Sequence, residues 1–233
     1  MNELLFLLHT FIIALCCLGT LKLGKEALIS FICMQGILSN LLVTKQMTLF
    51  GFNVTCSDVF AVGVIMSLNI LQEYYGKRIT QKVIWINFSL LLIYLVMTQI
   101  HLWYIPNTFD TMHHHFVEIF SLMPRLTLSS IGVYFVVQNL DAVVFGFLKK
   151  ICHNRYFMLR SIIALTFSQL VDTTLFSVIA LYGVVESISH IIIVSFVIKL
   201  AVILLTAPFI ALAKKCISPS DQRSEPCHTS HSK

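Results

Sequence analysis

Apolar stretches about twenty residues long recur along this chain, and no other feature constrains its fold as strongly. A helix needs roughly twenty mostly apolar residues to cross the hydrocarbon of a bilayer. Seven segments meet that requirement: about 4–21, 27–44, 55–75, 83–104, 127–148, 161–184 and 190–213. Only 12% of the 233 residues are charged and 57% are hydrophobic, whereas a typical soluble domain carries about 25% charge. Such a chain cannot hide its apolar surface from water, so its solvent is lipid. The expected fold is all-α, a polytopic membrane helix bundle of seven transmembrane helices in a single domain over 1–215. The polar remainder, 216–233, reads as a disordered cytoplasmic tail.

The basic residues test this topology. Lys22, Lys25, Lys77, Arg78, Lys82, Lys149, Lys150, Arg155, Arg160, Lys214, Lys215, Arg223 and Lys233 fall on one side of an alternating path, and only Lys45 and Arg125 on the other. Cytoplasmic loops are enriched in Lys and Arg, so the N-terminus is expected outside and the C-terminus inside. The first segment begins MNELL, has no small-x-small cleavage site and is followed by Lys22 and Lys25. It reads as a retained helix, not a signal peptide. The outward 105–126 connection places Phe116, Ile119, Phe120 and Met123 at helical spacing, as a short helix on the membrane surface would. The seven cysteines form no CxxC pair and read as small core residues.

Several side chains do not belong in lipid. A charge at the bilayer centre costs about 2.5–3.5 kcal/mol on insertion scales, yet Asp141, Asp172 and Lys199 all lie inside apolar segments. They must face one another, a neutral partner or a water-filled cavity. Asn69 and Glu73 are four residues apart, Gln138 and Asp141 three, and Ser168 and Asp172 four, so each pair shares a helix face. The tetrads QNLD, at 138–141, and QLVD, at 169–172, repeat one Gln-x-x-Asp pattern. Together with Lys199 they describe a buried pocket rich in donors and acceptors. Blander readings stand beside this one. Glu73 and Lys77 have the spacing of an ordinary surface ion pair, Asp58 sits where it could cap the third helix, and an Asp–Lys199 pair could be interhelical glue.

A carboxylate accepts paired hydrogen bonds from an N–H/NH2 edge, and amides both donate and accept. Phe60, Tyr74, Tyr134, Phe167 and Phe176 could flank a flat ring. The chemistry indicates a planar, polar, nitrogen-rich small molecule. No GxSxG, HExxH or GxxxxGK[ST] motif occurs. The remaining classes are an intramembrane enzyme built on two aspartates, and a structural or channel subunit.

The stretches NILQEYYGKR, QNLDAVVF, LRSIIALTFSQLVDTTLF and FVIKLAVILLTAPF resemble the YhhQ-like queuosine-precursor transporters, the VUT vitamin-uptake family. The resemblance runs from about Ala27 to Ala213 and is most specific at Glu73 to Gly76, at Ser168 to Thr173, and at Lys199 and Pro208. It implies a bacterial inner-membrane importer of 7-deazaguanines such as preQ0, preQ1 or queuine, which feed a modified tRNA nucleoside. It also implies a bundle similar to the substrate-binding subunits of ECF vitamin transporters. Its motif positions nominate Asn69, Glu73, Gln138, Asp141, Gln169, Asp172 and Lys199 as substrate-binding residues. The expected partners are the 7-deazaguanine and the lipid bilayer, with no cofactor, no metal and no nucleic acid. An ECF-like energising module and homo-oligomerisation stay open.

Overall fold

The computed structural model describes residues 1–151 and 157–201, and within them each apolar segment overlaps a helix, the seventh as far as Ala201. The helices are α1 (Asn2–Leu23), α2 (Lys25–Leu42), α3 (Asp58–Tyr75), α4 (Lys77–His101), α5 (His113–Phe120), α6 (Met123–Ile151), α7 (Phe157–Ala180) and α8 (Ile188–Ala201). Single glycines with positive φ, Gly24 and Gly76, turn α1 into α2 and α3 into α4. That backbone region is open to glycine at little steric cost. The tail 216–233 and Pro208 lie outside the described residues.

The expected all-α fold needs one correction. Between α2 and α3 the chain forms an antiparallel hairpin of β1 (Gln46–Leu49) and β2 (Phe52–Thr55), in the register Gln46↔Thr55 to Leu49↔Phe52. Phe50 and Gly51 both have positive φ (51° and 82°), as a two-residue turn matched to strand twist requires. β2 takes the start of what reads in sequence as the third apolar segment, so α3 begins at Asp58. The hairpin is bound at its rim. Asn2 Nδ2 donates to the Thr48 carbonyl (2.9 Å), the Phe50 amide donates to Glu3 Oε1 (3.2 Å), and Asn53 Nδ2 donates to Glu186 Oε2 (2.7 Å). Leu49 and Val54 pack beneath it against Val194 of α8.

Packing divides the interior. One cluster joins α1, α2, α3 and α4 through Ile13, Cys17, Leu28, Ile32, Met66, Ile70 and Val83. Another joins Val43 to Met123, Leu126, Leu181 and Ile191. α1 is integral to the first cluster: Cys17 Sγ lies 3.2 Å from Ser67 Oγ, and Ile13 presses against Gly63 of α3. Large apolar side chains remain on the outside of α1 (Leu4, Leu8, Phe11, Leu15) and α4 (Ile93, Val96, Met97, Ile100). Two helices so coated suit a lipid solvent.

Among the described residues, three stretches are long and apolar enough to cross a membrane: Asn2–Leu23, Lys77–His101, and His113–Val137, which runs from α5 into α6. The chain is therefore a predominantly helical membrane bundle. α2 and α3 fall short of that measure through polar residues, among them Gln35 and Asn40 on α2 and Asp58, Asn69 and Gln72 on α3. Two of these residues, Asn40 and Asp58, face an internal cavity.

Candidate functional site

Six helices meet around two adjoining cavities. One, of about 170 Å³, lies between α2, α3, α6, α7 and α8. The other, of about 350 Å³, adds α4. Ser39, Asn40, Ala61, Ser130, Asp172 and Lys199 line both and form their common wall.

At that wall Lys199 Nζ donates to Asp172 Oδ2 (2.8 Å) and to Thr173 Oγ1 (3.0 Å). The pair joins α8 to α7 and leaves neither charge without a partner in the apolar bundle. Asp172 nevertheless keeps 31% of its side-chain surface exposed, against 14% for Lys199. A carboxylate has about four acceptor positions, so an ion pair through Oδ2 leaves Oδ1 able to receive a donor from the cavity.

The larger cavity combines rings and amides. Phe88 of α4 and Tyr134 of α6 meet edge to face, with ring centroids 4.7 Å apart, and both line it. Gln169, Asn40 and Asn87 supply amides. Asn40 Nδ2 donates to the Gly36 carbonyl (3.2 Å), while the Oδ1 atoms of Asn40 and Asn87 are buried with no hydrogen-bond partner among the described residues. A buried acceptor left unpaired costs about 1–3 kcal/mol, which a donor-bearing ligand would recover. Gly36 lets α4 approach here, because a Cβ at that position would stand 2.5 Å from Asn87 Oδ1.

The smaller cavity adds hydroxyls and a second carboxylate, Asp58, to the shared wall. Asp58 is only 6% exposed. Among the described residues, both its oxygens lie near one donor, Ser195 Oγ of α8, at 2.9 and 2.8 Å. Thr55 Oγ1 and Ser57 Oγ, 2.9 Å apart, line the same space. The helix-cap reading of Asp58 is thus replaced by a long-range contact that ties α3 to α8.

Of the residues expected from sequence, Gln169, Asp172 and Lys199 come together on the cavity wall. Asn69 and Glu73 line neither cavity. They do continue, in steps of four, the cavity-lining positions Ala61 and Ile65 of α3. Gln138 and Asp141 lie on α6, one turn beyond the lining residues Tyr134 and Val137, and their side chains lie outside the described residues. Asn40, Asn87 and Ser195 are the additions sequence reading missed. Two of them carried the very signal used elsewhere, an amide inside an apolar helix.

Comparison with known proteins gives a family model described as "Putative vitamin uptake transporter" that matches residues 55–213. The chain is also similar to a protein of Bacillus subtilis (strain 168) named "Probable queuosine precursor transporter". The two are 32% identical over 204 residues, covering 86% of this chain and 89% of that one. No solved structure matches. The family match takes in α3 to α8, whereas Ser39 and Asn40 of the cavity wall come from α2, upstream of it.

Proposed function

This chain belongs to the vitamin uptake transporter family, and from that premise we propose that it imports queuosine precursors, 7-deazaguanines such as preQ0, preQ1 or queuine. Family membership makes it a membrane transporter, not an enzyme. In this reading it lies in a bacterial inner membrane as one domain over 1–215. Seven helices span the bilayer, with the N-terminus outside and the tail 216–233 in the cytoplasm. The thirteen-to-two distribution of basic residues supports that orientation.

One observation carries the substrate reading. A ring-walled cavity holds a carboxylate with an accessible face, Asp172, beside two amide oxygens without partners, on Asn40 and Asn87. A 7-deazaguanine is rich in donors: a ring N–H, an exocyclic amine and a pyrrole N–H. Asp172 would receive the N–H/NH2 edge, Gln169 and the two Asn amides would fix the remaining polar atoms, and Phe88 and Tyr134 would flank the ring. Lys199 would hold the charge of Asp172 while the site is unoccupied. Asn69 and Glu73 on α3 would line the cytoplasmic continuation of the path, and Gln138 and Asp141 of α6 are proposed with them as substrate-binding residues.

Uptake of a labelled 7-deazaguanine by a host that depends on salvage tests this directly. Asp172→Ala should abolish uptake while the protein still reaches the membrane. Unchanged uptake would refute the assigned roles. Purified protein should also gain thermal stability from a 7-deazaguanine and not from guanine, because a ligand that binds only the folded state stabilises it in proportion to affinity.

A further inference from the structure

The smaller cavity holds a feature that base recognition leaves unused. Asp58 and Asp172 both line it, and Lys199 is already engaged by Asp172. Asp58 is more than nine-tenths buried, and Ser195 brings it one hydroxyl proton for two oxygens. The Lys199 charge also acts on Asp58, but its hydrogen bonds go to Asp172 and Thr173, and a buried carboxylate held by one neutral hydroxyl is costly. A cation from the ligand would relieve that cost.

Resting on the transport reading above, we infer that Asp58 is the counter-ion of a protonated amine on the substrate's 7-substituent. The site then selects 7-deazaguanines that carry an aminomethyl nitrogen over those with a neutral group at that position. Ser195, which holds Asp58, and Lys199, which holds Asp172, are four residues apart on α8. The i, i+4 spacing puts both anchors on one face of α8, and both carboxylates line the same cavity. A base with one edge on Asp172, which lines both cavities, would then extend its 7-substituent into the smaller cavity, toward Asp58. The walls fit an alkylammonium better than a bare metal ion: beside the hydroxyls stand Val43, Phe176, Leu181 and Ile191, which would cover a methylene.

Binding to the full-length protein in detergent decides it. The ligands are 7-aminomethyl-7-deazaguanine and an N-alkylated secondary amine of it, both cationic, with the neutral 7-hydroxymethyl and 7-cyano bases as comparison. The better-bound amine should exceed the neutral ligands about tenfold or more, the scale of one charge-assisted hydrogen bond in a buried site. Asp58→Asn should bring that ratio close to one. Equal affinities in the wild type, or an Asp58→Asn variant that keeps the ratio, overturns the inference. The wild-type comparison alone is decisive should the variant fail to fold. If neither cationic nor neutral ligand binds the wild type, the transport reading itself fails. Equal binding of both refutes only the role of Asp58.

Discussion

Asp172 and Lys199 show how a charge becomes tolerable inside a bundle. Either one alone would be an ion in an apolar surrounding, whereas at 2.8 Å they neutralise each other. Removing one partner of a fully buried pair costs about 3–5 kcal/mol. With Asp172 31% exposed, Lys199→Gln should cost at most the lower end of that range, about 3 kcal/mol, in thermal unfolding in detergent. Adding Asp172→Asn to Lys199→Gln should return most of the lost stability and leave uptake at background. Recovery of stability without recovery of uptake separates the structural part of the pair from its binding part. Both residues were legible in the sequence, because a charge at mid-membrane has few explanations. Asp58 was not: a carboxylate at the first position of a helix has the same local signature whether it caps that helix or reaches Ser195 of α8. Asn40 and Asn87 were visible as amides in apolar helices, but nothing local says that their oxygens meet one space.

Among the elements, the contact of α2 with α4 and the hairpin above the site each yield an expectation. Gly36→Ala would set a methyl 2.5 Å from Asn87 Oδ1 and 2.8 Å from its Nδ2, so the amide must move. Overpacking of this kind costs about 1–3 kcal/mol. Both the unfolding midpoint and ligand affinity should fall, whereas a change in midpoint alone would remove Asn87 from the site. In the hairpin, Phe50 holds φ 51° and is 67% exposed. Left-handed backbone costs a residue like Phe roughly 1–2 kcal/mol, and Asn adopts it more readily. Phe50→Asn should therefore raise stability by about 1 kcal/mol, read as a higher unfolding midpoint. The hairpin was hidden in sequence because its two four-residue strands lie among apolar helices, where a short apolar run does not declare its period.

Across the whole molecule, orientation is the property most open to a direct test. With the seven native cysteines replaced, Phe50→Cys should react with a membrane-impermeant thiol reagent added to intact cells, and Lys77→Cys only after the membrane is opened. The reverse pattern would invert the proposed topology. α1 shares in the same architecture. Its Cys17 and Ile13 pack on α3, and Asn2 and Glu3 hold the hairpin. It thus braces both the helix that carries Asp58 and the hairpin whose Thr55 lines the same cavity.

What the sequence by itself determined is the lipid solvent, the helical segments, the bias of basic residues and the presence of charges that must find partners. Those are additive, local quantities: each window of about twenty residues is weighed against the bilayer independently of the rest. What only the tertiary structure decided is which faces meet. Ser195 and Asp58 are 137 residues apart, and Lys199 and Asp172 are 27 apart. Their pairing follows from how α3, α7 and α8 pack. In lipid that packing is set by close fit and polar contacts and not by apolar burial, so hydropathy along the chain carries no record of it.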